Sequence, residues 1–499
     1  MRVAVVGSGV AGLGAVWALN EYSEHEVHVF EAEARPGGHA HTVDFASPAT
    51  GLTTKVDVGF VNPPSYPNFL RFLQLLKIPT IPTEMTFSVS RDRGAFEWAG
   101  DTIFTVFCQT RNLFRARHWR MIWDVLRFNA CAKKLLEDEG DSTSVASNKK
   151  YLDLSIGEYL EREGYSDAFR DDYLIPMTAA IWSTPPDKCS LDFPALTLLR
   201  FMHNHHLLQL TGKPSWLTVE GGSHLYIKRV LEKLPPQQAH FSSPVNAIKS
   251  LPSGGVEIAY STSSAGGEAK GTFDAVIVAT HSDTALEMLG PNATAGEQEI
   301  LGSFGWNRNE VVLHSDKQLM PVERSAWSCW NYLTESEVGQ DGIKRSNLDG
   351  LTFMLSDCMN HLQHIPESKY GPVLVTLNPP FEPKAETIVG RWKFDHPIVS
   401  AEAVQAQKLL PTIQNRRSIA FAGAWTQYGF HEDGFTSGVK AAQDYIGCQI
   451  PFELRSPDRQ AAYGRQEIAI DYTMQILENL RRILSFTLFS FFLGLFHSS

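Results

Sequence analysis

The stretch Val3-Ala4-Val5-Val6-Gly7-Ser8-Gly9-Val10-Ala11-Gly12-Leu13-Gly14, one residue past the start of the chain's basic Arg2, decides the fold. Val3 to Val6 is an unbroken apolar run rich in β-branched residues, as in a parallel strand covered on both faces. In the turn that follows, Gly7 permits a tight bend, Gly9 lets backbone approach a diphosphate, and Gly12 lets a helix pack closely on the strand. A diphosphate held there meets a helix N-terminus, whose unpaired amides and dipole favour anions. Apolar periodicity predicts a helix over 11–22 and a second strand over 27–31. Glu31 falls 19 residues beyond Gly12, at the end of that strand. A carboxylate there accepts hydrogen bonds from a ribose 2′-hydroxyl and repels a 2′-phosphate, so the expectation is a dinucleotide other than NADP.

Outward from this start, the character changes over 66–210 to helical stretches rich in aromatic and basic residues, interrupted by a polar segment over 137–150 read as a loop. Val219-Glu220-Gly221-Gly222 opens a helix. Short strands are expected over 245–248, 256–260 and 275–279, with the Gly/Ser-rich tract 261–271 as a hairpin tip. Strand-like runs recur at 310–313 and 373–377, a last buried strand at 419–423, and a helix at 437–445. The fold class expected is α/β: a Rossmann-type nucleotide-binding domain with an interleaved α+β substrate domain. Its discontinuous nucleotide-binding part is assigned to 1–65, 214–300 and 411–450, the insertions to 66–213 and 301–410, and a tail to 451–499.

Composition narrows the class. With 499 residues, 43% hydrophobic and 20% charged, the chain is long enough for about three domain-sized units and is neither disordered nor a many-helix membrane protein. A balance of 44 basic against 55 acidic residues gives −11, which excludes a dedicated nucleic-acid binder. Six cysteines without a C-x-x-C pair signal neither zinc nor a disulfide framework, so no metal is expected and a reducing, intracellular compartment fits. With a strand beginning at once at the N-terminus, no secretory leader is expected.

Glu31-Ala32 leads into Arg35-Pro36-Gly37-Gly38-His39, and Asp57-Val58-Gly59-Phe60 follows. This arrangement resembles the FAD-binding signature of the flavin amine oxidase and phytoene desaturase superfamily, in which the glycine pair lies beside the cofactor and the next basic side chain can face the diphosphate. Here that side chain is His39, where many members carry arginine. Further segments resemble a subgroup of FAD-dependent oxidoreductases associated with cyclopropane fatty acid synthases. They include Tyr173-Leu174-Ile175-Pro176-Met177, Asn204-His205-His206-Leu207-Leu208, Trp330-Asn331-Tyr332, Val375-Thr376-Leu377-Asn378-Pro379 and Gly429-Phe430-His431-Glu432-Asp433-Gly434. Only the region after about Pro451 falls outside the likeness.

The resemblance implies FAD held by Gly7, Gly9, Gly12, Glu31, Arg35, Gly37, Gly38, His39, Val245, Gly423, Glu432, Asp433 and Gly434. A helix beginning near Gly434 would aim its positive end at the flavin pyrimidine. The superfamily's usual glutamate after the glycine is Ala424 here, and Glu432 or Asp433 is a candidate replacement; Asp433 equally suits a helix N-cap. Amine oxidases of this fold carry a lysine that holds a water at flavin N5, and by comparison Asn309 stands at that position. Its loss favours direct hydride removal from carbon over amine oxidation. His205, His206 and His431 are acid–base candidates because histidine titrates near neutrality. Trp425 and Tyr428 are candidate substrate-lining residues. The expected activity is FAD-dependent oxidation of an apolar, lipid-like substrate. The alternatives are an amine oxidase and a flavin-stabilised scaffold presenting lipid to a methyltransferase.

Two segments carry membrane signals. Arg111 to Lys134 mixes five arginines with Phe114, Trp119, Trp123 and Leu126, a basic amphipathic composition suited to an anionic surface or to a solvated helix face. Residues 483–496 are apolar except for Ser485, Thr487, Ser490 and Gly494, and as a helix reach about 21 Å, short of the roughly 30 Å hydrocarbon core. Peripheral or C-terminal attachment to the cytosolic face of a membrane is therefore expected.

Overall fold

The computed structural model describes residues 1–57, 65–140, 154–183, 191–262, 267–338, 344–346, 353–456 and 463–496, the side chains of 138–140, 337–338, 344–346, 353 and 485–496 excepted. Strand β1 (Arg2–Val6) is followed by helix α1 (Val10–Tyr22) and strand β2 (Glu26–Phe30), as the opening sequence predicts. β1 is central in a five-stranded parallel sheet whose order is Ile419–Phe421, Ala275–Val278, β1, β2, Ala239–His240. Val3, Ala4 and Val5 are fully buried because helices cover one face and a three-stranded meander (Val245–Ser250, Val256–Ser261, Glu268–Phe273) lies with the core on the other. Burial on both faces explains why the strand reads as continuous rather than alternating.

A second, seven-stranded mixed sheet has the order Ile388–Ile398, Gly305–His314, Leu374–Leu377, Phe353–Cys358, Trp330–Thr334, Phe87–Arg91, Phe96–Ala99. In Gly305–His314 the first turns alternate, Asn307 and Asn309 buried and Arg308 and Glu310 exposed, so two amides face inward together.

By packing, the chain forms two compact units. The larger takes residues 1–108, 178–189 and 215–457 and holds both sheets; the smaller takes 109–177, 190–214 and 458–499 and is helical. This division is by packing, whereas the one expected from sequence is by ligand. Within the 451–499 segment, the helix Arg465–Phe496 packs on Ala116–Gly140. Three local expectations change. Residues 137–140 continue a helix, with 141–150 outside the described residues. The Gly/Ser-rich tract becomes strand from Glu268 onward. The helix expected over 437–445 starts six residues earlier, as His431–Ala441, because Asp433 reaches back to cap it. Among the described residues, no helix is long and apolar enough to cross a membrane.

Candidate functional site

The three glycines of the opening loop have different reasons to be glycine. Gly7 has φ +99°, and a Cβ there would lie 2.6 Å from the Ala279 carbonyl oxygen. A Cβ on Gly12 would lie 1.9 Å from the Gly7 carbonyl oxygen, so this glycine lets α1 sit against its own loop. Gly9 caps α1 with ordinary backbone angles, and a Cβ there would meet nothing within 4 Å. Folding therefore requires Gly7 and Gly12, while the open space at Gly9 is what a diphosphate would occupy. The helix N-terminus beside it has no side-chain cap and no acidic residue in its first turn, leaving its amides for an anion.

Glu31 lies beyond the end of β2. Its carboxylate accepts hydrogen bonds from the Ser8 amide (2.9 Å), the Ser8 hydroxyl (2.6 Å) and the Glu33 amide (2.9 Å). It is thus fixed beside the glycine loop, where a ribose can reach it. The Gly37-Gly38 turn docks on the same loop: the Gly37 amide donates to the Ser8 carbonyl at 3.0 Å, and both glycines have positive φ. Arg35 does not reach outward, because its guanidinium donates to the Gly38 carbonyl at 2.9 Å and pairs with Glu33. Val245 opens the first meander strand, just past Ser243, whose amide donates to the Glu31 carbonyl at 2.8 Å. Residues 58–60 of the Asp57-Val58-Gly59-Phe60 motif lie outside the described residues. Asp57 itself is buried and holds the Ser223 amide (2.7 Å) and hydroxyl (2.6 Å), which pins the Gly221-Gly222 turn.

Gly423, Gly434 and Gly438 bring the last strand and the helix His431–Ala441 against α1. A Cβ on Gly434 would lie 2.6 Å from Val10, and one on Gly438 would lie 1.9 Å from the Ala11 carbonyl oxygen. The two carboxylates expected from sequence as flavin contacts have backbone partners. Glu432 accepts from the Asn68 and Phe69 amides (3.0 and 2.8 Å) and so caps the helix Pro67–Leu75. Asp433 accepts from the Phe430 amide at 2.9 Å, capping its own helix from the third position rather than as the N-cap. Burial pushes both carboxyls up to about 7. Trp425 is buried, its indole donating to the Thr280 carbonyl at 3.0 Å; the Tyr428 carbonyl accepts from Trp182 at 3.1 Å.

The sequence missed a polar cluster built around Asn309. The Asn309 amide nitrogen donates to the Ser183 carbonyl (2.8 Å), which fixes the orientation of the side chain, and to His396 Nδ1 (2.8 Å). Its oxygen accepts from Asn307 and Asn378, both at 2.7 Å. His396 Nδ1 is therefore an acceptor, and its ring proton sits on Nε2. His39 donates from Nε2 to the Asp395 carbonyl at 3.0 Å, leaving Nδ1 bare. The His39 ring lies 5.4 Å from His396 and 5.7 Å from His281, which stacks on Trp306 at 3.9 Å. Burial, and then the neighbouring imidazoles, hold His39 well below the ordinary histidine value; burial lowers His396 and His431 to about 4. All are neutral near pH 7, although each keeps some surface open, as groups lining an internal space do. His205 and His206 are not in this cluster. They belong to the smaller unit, where His205 bonds the Phe201 carbonyl and His206 bonds Gln209, each at 2.9 Å.

A strand–loop–helix diphosphate cradle, an acidic residue after the second strand and a docked second glycine turn together define a dinucleotide-binding oxidoreductase fold. The chain belongs to the family of flavin containing amine oxidoreductases, whose model matches residues 10–314. Its fold is similar to that of a CLA-producing fatty acid isomerase from P. acnes, at 16% identity over 89% of this chain and 98% of that one, with a TM-score of 0.61. It is similar to cyclohexylamine oxidase from Brevibacterium oxydans IH-35A at 14% identity over 89% and 98%, TM-score 0.58. It is also similar to putrescine oxidase bound to putrescine, at 15% identity over 89% and 99%, TM-score 0.56. No curated protein sequence matches the chain. The protein is an FAD-dependent oxidoreductase.

Proposed function

We propose that this enzyme oxidises an uncharged, apolar, lipid-like substrate by hydride removal from carbon. The observation that carries this reading is the Asn309 cluster. Where the resemblance places the lysine of amine oxidases, this chain has an amide locked by four hydrogen bonds and flanked by imidazoles that burial keeps neutral. Burial that disfavours a protonated imidazole disfavours a buried alkylammonium for the same reason, whereas an acyl chain brings no charge to desolvate. Bound FAD supplies the two-electron acceptor. Gly9 and the α1 amides would hold its diphosphate, Glu31 its ribose, and the Gly37-Gly38 turn would lie alongside, with Gly423 and Gly434 letting the last helix close over it. His396 would offer an Nε2 proton, and His39 a bare Nδ1, to a substrate carbonyl or hydroxyl. The likeness to the subgroup associated with cyclopropane fatty acid synthases supports a lipid as the source of that chain.

The test is anaerobic titration of the purified flavoprotein while its visible absorbance is recorded. Unsaturated or cyclopropane fatty acyl compounds are expected to bleach the flavin, and alkylamines and polyamines are not. Bleaching by an amine alone overturns the reading in favour of an amine oxidase. Bleaching by none of these overturns it in favour of a scaffold role.

A further inference from the structure

The C-terminal helix Arg465–Phe496 carries its charge on the wrong side for a surface helix. Glu467, Asp471 and Glu478 recur on one face and all point into the smaller unit. Lys133, itself buried, contacts Glu467 at 2.7 Å and Asp471 at 2.6 Å. Glu467 also accepts from the Leu210 and Thr211 amides and the Thr211 hydroxyl, and Arg127 lies against Glu478. The opposite face is apolar and exposed: Ile468, Tyr472, Ile476 and Leu480 recur every fourth residue, with Tyr472 66% exposed, and Ile483 and Leu484 continue them. Between Gln466 and Arg481 the exposed positions carry no charge, only Ala469, Thr473 and Asn479 among the apolar side chains.

The partner helix Ala116–Gly140 runs antiparallel. Lys133 meets Glu467 and Asp471, the Ala130 carbonyl accepts from Gln475, and Arg127 meets Glu478. Continuing that register, the start of Ala116–Gly140 lies at the end toward which the C-terminal helix runs. At that start Phe114 is 88% and Trp119 49% exposed. Arg117, Arg120, Arg481 and Arg482 have about 40–50% exposed guanidiniums there, while their partners Asp124, Asp172 and Glu478 are buried. The cationic groups therefore face out and the acids face in. After Arg482 the sequence has no charged residue to its end at Ser499, and it carries Phe486, Phe489, Phe491, Phe492 and Phe496.

We infer that this end of the helix pair docks on an anionic phospholipid surface, the apolar stripe lying in the interfacial layer and the guanidiniums against lipid phosphates. A collar of arginine and aromatic side chains around an apolar helix is what the bilayer interface selects. A second copy packed parallel would set guanidinium against guanidinium, and one packed antiparallel would cover the apolar stripe but bring no anion to the guanidiniums, whereas a phospholipid surface supplies both. The inference is independent of the substrate class, since a lipid-oxidising enzyme need not bind a surface and a surface-bound one need not oxidise lipid.

The full-length flavoprotein is to be floated with phosphatidylcholine vesicles and with mixed phosphatidylcholine–phosphatidylserine vesicles, and its mass measured by light scattering without lipid. It should rise with the mixed vesicles, less with phosphatidylcholine alone, and less at high salt. Ile476→Ser with Leu480→Ser, and separately Phe114→Ser, remove exposed side chains only. Each variant should keep its flavin and bind vesicles about tenfold or more weakly. A wild-type chain that stays unbound to both vesicles overturns the inference. Undiminished binding by both variants does so too, and so does a dimer that the stripe variants convert to monomer.

Discussion

Replacing Gly9 by alanine should leave the protein folded and strip it of FAD, whereas replacing Gly12 by alanine should damage both. Gly9 has φ −64° and ψ 178°, angles any residue adopts, and its Cβ would enter open space. As an N-cap, alanine is worse than glycine by about 0.5–1 kcal/mol, and the stiffer unfolded chain returns about 0.4–1 kcal/mol. The apoprotein melting temperature should thus move by no more than about 2 °C. At Gly12 the new methyl would lie 1.9 Å from the Gly7 carbonyl oxygen, against backbone that cannot yield without moving α1. Such overpacking costs about 1–3 kcal/mol or more, a fall of several degrees. For cofactor, a methyl at Gly9 displaces the diphosphate from one or two amides worth about 1.5–3 kcal/mol each, so FAD should bind on the order of 100-fold more weakly. The assay is a thermal melt of apoprotein beside a fluorescence titration with FAD. Wild-type FAD affinity in Gly9→Ala would falsify the assignment of the open space to the diphosphate. A melt as low as that of Gly12→Ala would show that protein, not ligand, fills it.

Glu31→Gln should weaken FAD binding by about 1.5–3 kcal/mol by removing a charge-assisted acceptor from the Ser8 and Glu33 amides as well as from ribose, measured by the same titration. Asp357 is buried with one oxygen unpartnered, and burial pushes its carboxyl up to about 8. The unfolded chain ionises it near its ordinary value, so the fold loses stability as pH rises from about 4 to 8, and Asp357→Asn should match wild type at low pH and exceed it by up to about 6 kcal/mol above pH 8. Denaturant melts across that range check this, and parallel curves refute it. Lys133→Met leaves Glu467 and Asp471 without their buried cation and should cost the helix pair about 3–5 kcal/mol, seen as early hydrogen exchange in Arg465–Phe496 with the flavin still bound.

The glycine loop, Glu31 and the Gly37-Gly38 turn were legible because each acts on residues close in sequence or on a neighbouring parallel strand. Asn309 was legible as a position, but its partners were not: Ser183, Asn378 and His396 come from segments 126, 69 and 87 residues away, and nothing local marks them. Only the spacing of Asn307 and Asn309 on one strand face hinted at a shared inward amide pair. Glu432 and Asp433 were read as flavin contacts or caps because an acidic pair at a helix start serves ligand or backbone equally, and their amide partners at Asn68, Phe69 and Phe430 show the capping. The C-terminal segment was read as apolar from residue 483, while the structure starts its helix at Arg465. Its acidic residues are held inward by a buried lysine from a distant helix, which nothing local in the sequence marks.

The parallel sheet also sets the timetable of the protein's birth. β1 waits for Ala275–Val278, and that strand in turn waits for Ile419–Phe421, which leaves the ribosome about 140 residues later. Until then a fully apolar strand, Ala275–Val278, presents an unpaired edge, the kind of surface that aggregates or recruits a chaperone. The helix His431–Ala441, which seats on α1 through Gly434 and Gly438, arrives later still. Flavin capture is therefore an event that waits for His431–Ala441, and cells short of FAD should accumulate a chain whose last strand is made but whose closing helix has nothing to close upon.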